Sequence, residues 1–358
     1  MDISLLFQRF TESKEIEAAI ADLHDPKLLS SLIDLELQDP QRANVFGINH
    51  DNAESVILRR LELLKTVCSD FVQCCYTLNL LPLPLPSLWR AWLPLALQIA
   101  DWRSQQNCPL IVGFLGGQGT GKTTLTQVLT LVLSHLNYQA ISMSLDDLYL
   151  PYCDRLTIQQ DDPRLARRGP PGTHDVQLGQ QVLQQFRRQQ FPVAIPQFDK
   201  SAWNGSGDRT DPILVPQADI VLFEGWFVGA QPIPKMLFET APAPIVTEYD
   251  RQFARDMNER LRDYLPLWQL LDRLIVLYVS DYELSKRWRK QAEHKMIAKG
   301  NAGMIDSVID DFVEYFCKAL HPALFIHPLI RDANRANIVL EIDRNHQPGA
   351  IYAPPKTE

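Results

Sequence analysis

The segment that most constrains this 358-residue chain is Gly113–Leu129, GFLGGQGTGKTTLTQVL. Within it, residues Gly116 to Thr123 read GGQGTGKT and fit the pattern G-x-x-x-x-G-K-[ST]. An apolar run, LIVGFL (Leu110–Leu115), precedes the glycines, and an apolar stripe at helical spacing follows them. The order predicted is therefore strand, bare loop, helix. Glycines allow such a loop to curl with its amides turned inward, and the helix N-terminus adds positive potential at the same point. The loop is suited to surround a polyphosphate. Gly117, Gln118, Gly119, Thr120, Gly121 and Thr124 would form the cradle. Lys122 would reach the β- and γ-phosphates, and the Thr123 hydroxyl would ligate Mg²⁺.

Four further apolar runs continue the alternation begun by that strand: AISMSL (Ala140–Leu145), DIVLFEG (Asp219–Gly225), LIVLYVS (Leu274–Ser280) and NIVLEID (Asn337–Asp343). Helical patterns lie between most of them, such as Gln177–Gln190 and Asp250–Tyr264. Buried strands separated by helices imply a parallel sheet covered on both faces, a three-layer α/β sandwich. Upstream, residues 12–25 and 54–78 show apolar spacing of three and four, so an N-terminal all-helical lobe is expected over residues 1–87, linker included. Residues 88–358 would form the main domain. The linker alternates Leu and Pro from Leu81 to Pro86 and should be extended; a helix should follow over Leu88–Gln105. The most apolar stretch is cut by Pro82, Pro84, Pro86, Arg90 and Pro94, so no membrane helix is expected. The first twenty residues lack a basic segment followed by an apolar run, so a signal peptide is not expected either. A net charge of −8 argues against a nucleic-acid partner. Six cysteines without metal-binding spacing suit reduced thiols in the cytoplasm.

Two acids fall where the strand after the loop ends: Asp146 and Asp147, in SMSLDDLYLP. Strand carboxyl ends face the ligand crevice in such sheets, and a carboxylate there can take a proton from an attacking hydroxyl. Asp146 is the better candidate base; Asp147 suits a helix cap or a water contact. Glu224, at the end of VLFEGW, is placed to orient Mg²⁺ or its water. The insert over residues 149–217 carries Arg168, His174 and Asp175 in RLARRGPPGTHD, and Lys200 and Arg209 in IPQFDKSAWNGSGDR. Both runs read as loops whose cations could hold an anionic acceptor. After the fourth strand, Lys286, Arg287, Arg289, Lys290 and Lys295 form a basic helix suited to a mobile lid.

Taken together, GGQGTGKTTL, SLDDLYLP, RGPPGTHD, IPQFDKSAWNGSGDR, LFEGWFVG and HKMIAKGNAGM resemble the D-glycerate 3-kinase family of the plant and cyanobacterial type. That family belongs with the phosphoribulokinase, uridine kinase and pantothenate kinase group of P-loop kinases, and the likeness covers about residues 88–358. The resemblance implies a P-loop NTPase sandwich with sheet order 2-3-1-4-5 and a helical lid over about 284–330. It also implies ATP and Mg²⁺ as cofactors and D-glycerate as the small-molecule substrate. A base lands on Asp146, a Walker-B-like acid on Glu224 and lid cations on Arg287 and Arg289. Substrate contacts land among Asp147, Tyr149, Arg168, His174, Asp175, Lys200 and Arg209. Two other functions stay open. One is a related kinase acting on uridine, pantothenate or ribulose 5-phosphate, with Trp203 and Trp226 as an aromatic slot for a nucleoside. The other is an NTP-dependent switch that binds a partner through its N-terminal helices.

Overall fold

The computed structural model describes residues 26–298 and 305–356, with side chains at all of these except 292 and 295–298. The helix expected over residues 12–25 lies outside the described residues. Five strands form the parallel core: β1 (Leu110–Gly116), β2 (Ala140–Ser144), β5 (Ile220–Gly225), β6 (Arg273–Tyr278) and β7 (Ile338–Ile342). They are ordered β2-β5-β1-β6-β7, which is the 2-3-1-4-5 arrangement of the five apolar runs. An edge strand not anticipated, β8 (Pro348–Tyr352), pairs antiparallel with β7. Its five residues are too few to give a clear alternation.

Side chains alternate across the sheet, so each core strand feeds two hydrophobic layers. Leu110, Val112 and Phe114 of β1 join one layer, and Ile111 and Leu115 the other. The first layer is closed by α5 (Lys122–His135), which buries Val128, Leu129 and Val132. The second is closed by α7 (Val176–Arg187) and α8 (Glu248–Arg260), through residues such as Phe186, Phe253 and Met257. The glycine loop joins β1 directly to α5, so the sheet's central strand and its covering helix together position that loop.

The N-terminal helices are α1 (Pro26–Leu37), α2 (Pro40–Val45), α3 (Ala53–Thr77) and α4 (Leu93–Ser104); α3 and α4 pack outside α5 and share its core, while α1 packs on α3, and α2 on α1 and β8. α3 presents Ile57, Leu61, Leu64, Val67, Phe71 and Cys75 along one stripe. Between α3 and α4, residues 80–84 have no regular structure. The helix expected over Leu88–Gln105 forms, but its first turn, Leu88–Trp92, is π-helical, with the Leu93 amide donating to the Leu88 carbonyl. Pro94 then lies inside a helix that runs on without a break from Leu85 to Ser104, and the Arg90 carbonyl, four residues before this proline, accepts instead from the Arg42 guanidinium at 3.1 Å.

The insert departs from expectation. Residues 193–215 are not a loop but an antiparallel hairpin of β3 (Val193–Asp199) and β4 (Asp208–Val215). Pro196 and Pro212 hid its alternation, while Trp203, Asn204, Gly205 and Gly207 take the positive φ values of its turn. The stretch before His174 also contains a helix, α6 (Tyr152–Asp161).

A buried ionic cluster locks α1 to α3. The Glu36 carboxylate accepts from Arg60 at 2.6 Å and pairs with Arg42 at 2.8 Å, with all three side chains nearly solvent-free. The Arg60 guanidinium also lies 5.0 Å from the Trp89 ring centre. Glu36→Gln would leave two buried cations without an anion. It is expected to lower the unfolding free energy by about 3–5 kcal/mol in denaturant titration; a loss under about 1 kcal/mol would contradict this role.

Candidate active site

The loop after β1 is a tight cradle. Gly119 (φ +79°) and Gly121 (φ +86°) occupy left-handed conformations, and Gly121 is the N-cap of α5. A side chain at Gly119 would strike Trp288, whose Cβ lies 3.0 Å from the ideal Cβ position. Lys122 reaches back across the loop, and its Nζ donates to the Gly117 carbonyl at 3.0 Å. Burial lowers the pKa of this ammonium, and the Glu224 and Asp146 carboxylates oppose that shift. The Thr123 hydroxyl donates to Glu224 Oε1 at 3.0 Å. Gly117 and Gln118 border a small apolar pocket with Phe227 and Cys317, while Gly119 to Thr124 line a second, larger cavity.

Strand order brings the acids to this loop. β5 lies between β1 and β2, with Glu224 in register with Phe114 on one side and Ser144 on the other. Just beyond β2, Ser144 caps a 3₁₀ turn over Leu145–Leu148. Its hydroxyl accepts from the Asp146 amide at 3.2 Å, and its own amide donates to Asp147 Oδ2 at 3.0 Å. Asp147 is therefore a cap and is not among the residues lining the main cavity, which corrects its expected substrate contact. Burial pushes its carboxyl up to about 6. Asp146 does line the cavity. Its Oδ1 accepts from the Tyr149 hydroxyl at 2.8 Å and its Oδ2 from Lys200 Nζ at 2.7 Å. Burial alone would raise its pKa, but the Lys200 ammonium and the Tyr149 hydroxyl outweigh it and hold the carboxyl below the ordinary aspartate value.

That cavity, of about 900 Å³, is bounded by Gln118, Lys122, Thr123, Asp146, Tyr149, Arg168, Lys200, Glu224 and Arg289. Ser144, Asn204, Trp226, Phe312 and Phe316 also line it, and the expectation had missed them as wall residues, Trp226 having been read only as an aromatic slot. The hairpin turn carries Lys200 and Asn204 into place, which reading the segment as a loop could not foresee. A strand–turn–strand signal was nevertheless present as VAIPQFD, then NGSG, then DRTDPILV.

Three residues expected at the acceptor do not face it. His174 is buried and stacked against Tyr149, with Nδ1 2.7 Å from the Tyr264 hydroxyl. Burial drives its pKa down to about 3, so it is neutral and offers a carboxylate no charge. Asp175 caps α7 by accepting from the Leu178 amide at 3.0 Å. Arg209 braces the turn instead, donating to the Tyr149 carbonyl at 3.1 Å and pairing with Asp175 at 3.3 Å. Arg168 does reach the cavity, held by the carbonyls of Gly205 and Ser206 at 2.7 and 2.9 Å.

The basic helix is α9 (Glu283–Ala298), and it packs on α10 (Asp306–Ala319). Lys286 pairs with Glu283 and Glu314, and Lys290 with Asp310, so these two lysines are neutralised by neighbouring acids. Arg289 lines the cavity, paired with Glu293 at 2.8 Å. Arg287 lies instead on a separate groove shared with His294 and Asp310 and does not face the loop, contrary to expectation. The Lys295 side chain and Gly300–Gly303 lie outside the described residues. Trp288, which the basic pattern concealed, packs on Gly119.

No protein-family model matches the chain. Among curated proteins it is 30% identical over 300 residues to a D-glycerate 3-kinase, chloroplastic, of Arabidopsis thaliana, covering 76% of this chain and 64% of that protein. It is 33% identical over 217 residues to an uncharacterized kinase, mug58, of Schizosaccharomyces pombe, covering 58% of this chain and 78% of the relative. A solved D-glycerate 3-kinase from Cryptococcus neoformans superposes with TM-score 0.64 at 28% identity, covering 72% of this chain and 96% of that one. The chain belongs to the same family of P-loop kinases as the Schizosaccharomyces relative and is homologous to the D-glycerate 3-kinases. It spans less than two thirds of the Arabidopsis relative's length.

The raised Asp147 carboxyl makes a prediction about this kinase fold. Between the ordinary value of 3.8 and about 6, the folded chain holds a proton that the unfolded chain does not. Its contribution to stability is present at low pH and is lost as pH rises through about 6. Asp147→Asn keeps an acceptor for the Ser144 amide and removes the buried charge. In denaturant titrations the variant is expected to exceed wild type at pH 7.5, with the advantage shrinking toward pH 4. A constant difference across that range would contradict the assignment.

Proposed function

We propose that the chain transfers the γ-phosphoryl group of ATP to the 3-hydroxyl of D-glycerate, giving 3-phosphoglycerate and ADP. One observation carries the reading: Lys122 and Asp146 open into the same cavity, which also presents Arg168 and Lys200. A carboxylate acceptor beside a triphosphate is repelled unless a cation stands near it. Arg168 and Lys200 are positioned for that purpose. A nucleoside acceptor fits less well. Trp203, half of the aromatic slot it would need, stacks on Tyr152 with ring centres 5.0 Å apart and does not line the cavity.

In this reading the acceptor hydroxyl donates to Asp146 and its oxygen attacks the γ-phosphorus. An O–P bond forms, the bond to the β,γ-bridging oxygen breaks with its electron pair leaving on ADP, and the hydroxyl proton passes to Asp146. Transition states of this kind are loose, so an aspartate of low basicity suffices to orient the hydroxyl and receive its proton late. Lys122, the loop amides and Arg289 balance charge on the phosphoryl oxygens.

Mg²⁺ fits the residues present. The Thr123 hydroxyl and the buried Glu224 carboxylate lie 3.0 Å apart and are hard oxygen donors. Buried Glu224 meets the Thr123 hydroxyl and shares the field of Lys122 with Asp146, so a further cation beside it would be favoured. The ion would neutralise phosphate oxygens, with Thr123 and Glu224 holding it or its waters. Six free cysteines suit a reducing compartment such as the cytoplasm.

ADP release is to be measured with D-glycerate, uridine, pantothenate and ribulose 5-phosphate, and with no acceptor. D-glycerate should give the highest kcat/KM. Lys122→Ala should lower kcat by about 10²–10³-fold and Asp146→Asn by about 10²–10⁴-fold. Hydrolysis that ignores the acceptor would favour the switch, and near-normal turnover by either variant would overturn the proposal.

A further inference from the structure

We infer that the linker between the N-terminal helices and the kinase core forms one wall of a nucleoside site, so that the N-terminal helices take part in recognising the base and ribose of the nucleotide. The inference rests on the kinase reading above. Two cavities meet at Lys122 and Thr123 of the phosphate loop. The first holds Asp146 and Lys200. The second, of about 700 Å³, is lined by residues 79–82, Pro84 and Ser87 of the linker and by Trp288 and the β7–β8 turn.

The two linings differ in chemistry. Apart from Lys122, no Asp, Glu, Lys or Arg lines the second cavity among the described residues. Its walls are apolar surfaces and amide side chains: Leu81, Pro82 and Trp288 with Asn79, Asn345 and Gln347. A nucleoside has matching character, a flat, uncharged ring with a hydrogen-bonding edge, and a nucleotide held by the loop must place that part on one side of Lys122. The acid–lysine side suits the acceptor, which leaves the neutral side for the nucleoside.

The walls are braced. Trp288 packs on Gly119 of the loop, lies against the tilted His346 ring with ring centres 4.4 Å apart, and donates from Nε1 to the Arg344 carbonyl at 3.2 Å. Across the cavity, the Ser87 hydroxyl donates to Gln347 Oε1 at 3.0 Å and ties the linker to the β7–β8 turn. Leu81 nevertheless keeps 60% of its surface exposed. An apolar side chain held open at the mouth of a cavity that adjoins the phosphate loop gains by being covered, and a base would cover it.

Calorimetry on the full chain with ADP and, separately, with inorganic pyrophosphate tests this. Leu81→Ser alters an exposed side chain and should leave the ligand-free melting temperature unchanged. It is expected to weaken ADP about tenfold and to leave pyrophosphate unchanged. Lys122→Ala should weaken both. If wild type binds both ligands and Leu81→Ser binds ADP equally well, or loses both ligands in parallel, the linker is not a nucleoside wall and the kinase reading stands. If wild type binds neither, both fall.

Discussion

A lysine ammonium half-buried at the mouth of a glycine loop needs negative charge close by, and most of this molecule is arranged around that need. Without a ligand, Lys122 donates to the carbonyl of Gly117, while Glu224 and Asp146 counter the cost of burying its charge. Those acids are near because β5 is inserted between β1 and β2, so three adjacent strands end with the loop, Glu224 and Asp146. The same arrangement leaves one cation facing several acceptors across a short distance. Polyphosphate, with more oxygens and more charge than a single carbonyl, is a better partner for it.

The rest of the fold keeps those strand ends in register. Alternating apolar side chains bury both faces of the sheet, and α5 is gripped on its outer side by α3 and α4. The N-terminal helices therefore act on the loop from behind, through the helix that begins at Lys122. The Glu36–Arg42–Arg60 cluster fixes how those helices meet one another. On the opposite side, the β3–β4 hairpin places Lys200 on Asp146, and the pairing keeps the aspartate ionised and pointed into the cavity.

Legibility in the sequence followed the range of the interactions. The loop, the parallel core and the two strand-end acids depend on spacing within a few residues, and all could be read directly. His174, Asp175 and Arg209 could not, because whether a polar residue faces a cavity or braces a turn depends on partners 34 to 90 residues away. The hairpin was missed because its prolines interrupt an alternation that only pairing completes. Trp288 and Arg287 share a charged helix, and only its rotation against α10 and the loop decides which residue faces inward.

The most direct test is a crystal structure of the full chain with ADP, Mg²⁺ and D-glycerate. The account predicts that Lys122 leaves the Gly117 carbonyl for the β-phosphate, that amides from Gly119 to Thr123 surround that phosphate, and that the glycerate 3-hydroxyl donates to Asp146. A nucleotide bound elsewhere, with Lys122 still on Gly117, or a glycerate hydroxyl remote from Asp146, would contradict it.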